Sequence, residues 1–220
     1  MSKAYLQKIN DEIRSKLKLN QWRNTSTVID WFKNLKRKGD HKFLQLDIVD
    51  FYPSITESLL TAALEFAKQH TEVPSEISNT VMHARKSLLF SDNSAWVKQR
   101  DSTFDVTMGS FDGAEVCELV GLYLLAKMKE DFPSVDFGLY RDDGLGYYKK
   151  GPGPSIERLR KDIIKLFKDS GLNITIESSM STVNFLDVTF NLEAAKYRPY
   201  KKKPMTSSST SIKNPTIHRL

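Results

Sequence analysis

The chain has 220 residues, 40% hydrophobic and 27% charged, with a formal net charge of +6 and a pI of about 9.2. That size and composition suit one globular domain, alone or with a small appendage, and exclude a wholly disordered chain. The single Cys117 excludes an internal disulfide framework, the four scattered histidines lack cysteine partners at zinc-site spacing, and no apolar run is long enough to cross a bilayer.

The first residues lead into no signal-peptide core, so a soluble intracellular protein is expected, with nucleus or cytoplasm left open. Leu6, Ile9, Ile13 and Leu17 stand at helical spacing over residues 3–18. Asn24-Thr25-Ser26 offers an N-cap for a second helix carrying Val28, Trp31, Phe32 and Leu35. Lys36-Arg37-Lys38 and Gly39 suit that helix's C-terminus, and a nucleic-acid contact is an equal alternative for the cations. Residues 43–49 alternate Leu44, Leu46 and Ile48 with Gln45, Asp47 and Val49, which predicts a half-buried strand with Asp47 on the face away from the leucines.

Ser54 with Glu57 reads as a capping box opening a helix through Leu59, Leu60, Ala63, Leu64 and Ala67. Pro74-Ser75 opens another, through Ile77, Val81, Ala84 and Leu88. Ala95-Trp96-Val97 and Phe104-Asp105-Val106 read as the cores of two short strands. After a break at 108–113, a helix of about 112–130 is apolar on most sides and should be buried, with Asp112 and Glu115 forming a box-like start and Cys117 a small core residue. Gly151-Pro152-Gly153-Pro154 reads as a turn, followed by a helix over about 155–170 that Gly171 stops, then strands over 172–177 and 183–191. Lys201-Lys202-Lys203 and the Ser/Thr run behind it read as a disordered tail. Helices grouped against antiparallel strands make the fold class α+β.

The chemistry centres on Tyr140-Arg141-Asp142-Asp143-Gly144, flanked by Phe137-Gly138-Leu139-Tyr140 and Leu145-Gly146-Tyr147-Tyr148 as the arms of a hairpin. Asp143-Gly144 alone is also an ordinary turn pair. Adjacent carboxylates at a turn repel one another, and a divalent cation relieves that repulsion; Mg²⁺ favours a few carboxylates completed by water and phosphate oxygens. If the strand bearing Asp47 neighbours this hairpin, three carboxylates meet, the arrangement that holds two divalent ions for in-line phosphoryl transfer.

The ordered blocks DIVDFYPSI, TMGSFDGAEVCELVGLYLL, LYRDDGLG and VNFLDVTFNL resemble the palm of a reverse transcriptase, an RNA-directed DNA polymerase, especially those of animal mobile elements. The resemblance runs over about residues 3–203. It implies a right-hand palm, an antiparallel sheet backed by helices. Asp47, Asp142 and Asp143 match the catalytic, metal-binding aspartates, with the Ile48 carbonyl as a main-chain ligand, for Mg²⁺ or alternatively Mn²⁺. Tyr52 matches the aromatic residue that excludes a ribose 2′-hydroxyl, with Phe51 beside it seating the nucleotide. Gly109 matches a glycine that lets backbone approach nucleotide and template, while Met108 replaces a glutamine usual in relatives. Tyr140 would pack near the primer end, and Arg141 meets either phosphate or solvent. Phe185-Leu186 resembles the primer grip, with Asp187 where many families have glycine.

The implied partners are an RNA template, a DNA primer and deoxynucleoside triphosphates, without a membrane. The expected division is a partial fingers segment over 1–40, the palm over 41–200 and a tail over 201–220. The fingers hairpin and the thumb are not recognisable, so further fingers and thumb segments or other element-encoded domains are expected as partners. The alternative is an inactive module of the same fold that binds nucleic acid.

Overall fold

In the computed structural model, residues 2–86, 89–91, 94–98, 104, 106–107, 109–200 and 217–219 are described, with backbone alone for 89–91, 94–98 and 217–219. The first helix, α1 (Ser2–Leu17), buries Leu6, Ile9 and Ile13, the stripe its spacing predicts. A two-residue strand, β1 (Asn20–Gln21), follows, and then α2 (Thr25–Asn34). The Asn24 side chain accepts the Thr27 amide, satisfying one of the amides that a helix start leaves unpaired.

Helix α2 ends before the basic run rather than within it. Leu35 closes it, Arg37 takes a left-handed conformation (φ 51°) and Lys38–Asp40 form a 3-10 turn. The Lys38 ammonium donates to the Lys33 and Leu35 carbonyls, so a cation does serve the helix end, but Gly39 is not its stop.

Strand β2 (His41–Ile48) leads into a four-residue helix, α3 (Phe51–Ser54), through Asp50 in the left-handed region (φ 49°). In α4 (Glu57–His70) the cap is Thr56, whose hydroxyl accepts the Leu59 amide. The expected Ser54–Glu57 box does not form because Ser54 is already inside α3 and its hydroxyl donates to the Val49 carbonyl. Helix α5 (Ser75–His83) ends short of Leu88, which lies outside the described residues.

Strand β3 (Leu89–Ser91) pairs antiparallel with β4 (Ser94–Lys98). Ala95–Val97 thus lie in a strand, but the partner precedes them; Phe104 and Val106 are not in a strand, and Asp105 is outside the described residues. Helix α6 (Gly113–Asp131) is buried nearly all round and forms the centre of the helical layer. Asp112 makes no side-chain cap. Its carboxylate is taken instead by the buried Arg85 guanidinium and by the Ser2 hydroxyl, while Glu115 accepts from Gln7.

Strands β5 (Val135–Tyr140) and β6 (Asp143–Lys149) form the predicted hairpin. Helix α7 (Gly153–Asp169) begins inside the expected turn, because Pro154 suits a first helical turn where its missing amide costs nothing, and Gly171 (φ 78°) follows its end. After β7 (Ile174–Met180) the stretch read as one strand is a hairpin, β8 (Thr182–Phe185) and β9 (Val188–Asn191), continued by β10 (Lys196–Pro199). Within the expected tail, β11 (Ile217–Arg219) pairs with β4, while 201–216 and 220 lie outside the described residues.

The main sheet has the order β1-β5-β6-β2-β7. Strand alternation sends its residues into two cores. Leu44, Leu46, Ile48, Phe137, Leu139 and Tyr148 join α1, α4, α5, α6 and α7 on one face. Phe43, Leu145 and Tyr147 join α2 and the β8–β10 sheet on the other. Strand β2 is therefore buried on both faces at Phe43 and reaches solvent on the second face only toward Asp47. Residues 2–35, expected as partial fingers, contribute to both cores and supply the edge strand β1, which pairs parallel with β5.

Candidate active site

Cross-strand register builds the acidic end of the sheet. Tyr140 lies opposite Asp143, Asp143 opposite Asp47, and Asp47 opposite Thr175. Directly opposed residues of antiparallel strands share a face, so these four side chains form one row across β5, β6, β2 and β7. The next rows toward the other end hold Leu145 and then Phe43 with Tyr147, which the second core covers. The acidic row is thus the part of this face that the second core leaves open.

The turn joining β5 to β6 is Arg141-Asp142, with Arg141 left-handed (φ 57°); Asp143-Gly144 is not the turn pair. The Asp142 carbonyl accepts the Ile48 amide at 2.9 Å, which carries the β2–β6 pairing one residue further and fixes the turn over the strand end. Gly144 lies in the strand because a side chain there would overlap Leu46 and Phe137. Ile48 is buried, so its main chain alone is available to the acidic end.

Although the residue is exposed, partial desolvation of its carboxyl against the sheet raises Asp47 above the ordinary carboxylate range, and the neighbouring Asp142 charge raises it further. Among the described residues, no three His, Cys, Asp or Glu side chains are gathered as a ready metal cage. The donor set still fits a hard divalent ion. Carboxylate oxygens repel here without a cation, and Mg²⁺ commonly takes one or two carboxylates and completes its shell with water and substrate phosphates.

Beside the acidic row is a cleft of about 220 Å³ bordered by Tyr52, Tyr140, Arg141, Arg23, Cys117 and Glu118. Two of the residues predicted to meet a nucleotide, Tyr52 and Tyr140, line it. Tyr52 is half-buried and lines the cleft with the buried Cys117; burial raises both the Tyr52 hydroxyl and the Cys117 thiol. The Arg141 guanidinium lies 5.5 Å from the Tyr140 ring centroid. Arg23 reaches the cleft from the segment after β1, where it pairs with Asp11 and Glu118. No motif marked Arg23, because it enters through the parallel pairing of β1 with β5, which local sequence does not announce.

Phe51 does not line this cleft. Its ring is in the helical core, so it anchors α3 and thereby Tyr52. Gly109 is exposed with φ 88°, and no atom lies within 4 Å of where a side chain would begin. The glycine is required by its backbone conformation, and open space lies before it. Met108 is outside the described residues. Phe185 is buried edge-on against Trp22, with ring centroids 5.6 Å apart. Leu186 (φ 53°) and Asp187 form the two-residue turn between β8 and β9, so the expected primer-grip residues occupy a hairpin end. No helix among the described residues is long and apolar enough to cross a membrane.

Comparison with solved structures places this arrangement among right-hand polymerases. The apo telomerase of Candida tropicalis, truncated of its C-terminal domain, superposes with a TM-score of 0.64 at 13% identity, over 90% of this chain and 44% of that one. The Candida albicans telomerase in complex with a fragment of telomeric RNA gives 0.64 at 12%, over 97% and 40%. The RNA-dependent RNA polymerase of a human picobirnavirus gives 0.57 at 13%, over 86% and 36%. At such identities the likeness establishes the fold, a nucleic-acid polymerase palm. The chain spans less than half the length of these polymerases. No protein-family model matches the chain, and no curated protein does.

Proposed function

We propose that this chain is the palm of an RNA-directed DNA polymerase from a mobile element, extending a DNA primer on an RNA template with deoxynucleoside triphosphates. The observation that carries the reading is the register that puts Asp47 opposite Asp143, with Asp142 next to it in the turn. The matched folds are template-dependent polymerases, and one of them is described with bound RNA.

Asp47, Asp142 and Asp143, with the Ile48 carbonyl, would hold two Mg²⁺, or Mn²⁺. Those ions, when bound, lower the pKa of the primer 3′-hydroxyl and neutralise charge on the α-phosphate and the leaving pyrophosphate. The chain's own residues shape the rest. Tyr52, which lines the cleft, would reject a 2′-hydroxyl by steric clash of its ring with the sugar. Arg23 and Arg141 border the same cleft and offer cations to a triphosphate. Tyr140 borders the primer side, and Gly109 leaves its approach open.

A second reading, an inactive module that binds nucleic acid through a basic surface, is favoured by one observation: the acidic side chains are not gathered into a cage. Primer extension on an RNA template with Mg²⁺ or Mn²⁺ separates the two. Incorporation by the wild type that disappears in Asp142→Asn/Asp143→Asn supports the polymerase. A folded wild type that incorporates nothing, alone and with added fingers and thumb segments, leaves the binding module.

A further inference from the structure

At the end of the sheet opposite the acidic row, two clefts meet at one aromatic pair. The first, about 520 Å³, is bordered by Lys36, Arg37 and Lys149, together with His41 and Tyr147. The second, about 330 Å³, is bordered by Lys18 and Lys129, and again by His41 and Tyr147. His41 and Tyr147 stack with centroids 4.1 Å apart and planes 9° from parallel. Tyr147 is buried and its hydroxyl donates to the Lys36 carbonyl, so it is a fixed floor. His41 is half-buried, and its Nδ1 bonds the Arg37 carbonyl, which holds the imidazole flat on that floor.

The charge of this groove is mostly of one sign. Five cations border it against two carboxylates, Asp40 and Asp136. Lys36, Arg37 and Lys149 are exposed. A helix-terminus role explains Lys38, whose ammonium is spent on carbonyls, but it does not explain Lys36 and Arg37.

We infer that this groove binds single-stranded nucleic acid, with phosphates on Lys36, Arg37, Lys149 and Lys18 and a base stacked on His41, while Lys129, which donates to the Leu17 carbonyl, borders the groove without a phosphate. Cations tracking a backbone beside a pre-stacked ring are what sequence-tolerant single-strand binding uses. The groove is separate from the candidate active site: His41 and Asp47 are the two ends of the interval along β2, about 20 Å at the usual rise per strand residue. It would hold a strand outside the catalytic cleft, and the inference does not depend on the chain being a catalyst.

The test is binding of a fluorescent twelve-nucleotide single-stranded RNA to the full chain by anisotropy across a salt series. Lys36→Ala/Arg37→Ala/Lys149→Ala should weaken binding about tenfold and lower the salt slope by about 2, since each phosphate contact on a single strand contributes about 0.7. His41→Ala should weaken it about fivefold or more on the natural strand and leave an abasic strand unaffected, because the loss is of base stacking. Lys161→Ala/Lys165→Ala/Lys168→Ala on exposed positions of α7 removes the same charge elsewhere and should change little. The inference is overturned if the α7 triple variant costs as much as the groove triple variant. It is also overturned if the groove variant, shown folded by circular dichroism, binds like the wild type.

Discussion

Asp47 is held in a state that disfavours its own charge. Partial desolvation, and then the Asp142 charge, raise its carboxyl, so the folded chain binds that proton more tightly than the unfolded chain. The linkage sign follows: this group's contribution to stability is best at low pH and falls as pH rises from the ordinary carboxylate range through the raised value. Asp47→Asn should therefore melt at the same temperature as the wild type or slightly above it at pH 7 in a metal chelator, with the gap closing as pH drops toward 4. Adding Mg²⁺ should raise the wild-type midpoint and leave the variant unmoved, since a ligand stabilises only the state that binds it. A wild type indifferent to Mg²⁺, in thermal melts with nucleotide present, would remove the metal role.

Arg85 makes a contrasting case, with its charge matched. It is 3% exposed, bonds Ser110 and pairs with Asp112, fixing the loop that runs from Gly109 into α6. Removing one partner of a buried pair strands the other, so Arg85→Ala should cost about 3–5 kcal/mol in urea unfolding. The face that Asp47 takes was legible in sequence because strand periodicity fixes it. The Arg85–Asp112 pair was not, because Asp112 followed by Glu115 fits a helix cap equally well on local grounds.

Element boundaries show where local signals compete. Ser54 and Thr56 both precede α4 as plausible caps, and the choice is made by α3, a four-residue helix with no periodicity to read. Thr56→Ala should lower stability by about 1 kcal/mol, a typical N-cap loss, while Ser54→Ala should change it by much less, in matched denaturant melts. Residues 183–191 carry the same lesson for strands. Alternation slips phase at Phe185-Leu186 without a turn residue at either position to mark it, and the turn there uses Leu186 at positive φ, a position where sequence would ordinarily show glycine or asparagine. Long elements with a single reading, such as α6 and β2, were legible; short ones whose backbone is set by tertiary pairing were not.

At the scale of the molecule, the N-terminal segment is held by the same core as the sheet. It reads as two amphipathic helices of a partial fingers segment, and α1 lies on α6 through a set of contacts that the palm lacks without it. The Asn10 amide donates to the Glu115 carbonyl, Arg14 reaches Glu118 and Lys129 caps the Leu17 carbonyl. Leu6, Ile9 and Ile13 are at most 2% exposed, in the same core as Leu44 and Leu46. Emptying even one such position costs about 2–5 kcal/mol, and a whole domain is held by about 5–15 kcal/mol. Losing all three therefore consumes stability comparable to the total. A chain starting at Lys18 should show no cooperative thermal transition by circular dichroism and should bind dyes specific for exposed apolar surface. If it instead melts cooperatively near the wild-type temperature, the chain from Lys18 onward is self-sufficient and α1 is an accessory to it. Failure would make α1 part of the scaffold that holds α6 against the sheet, and so part of what keeps Tyr52, Cys117 and the acidic row in one place.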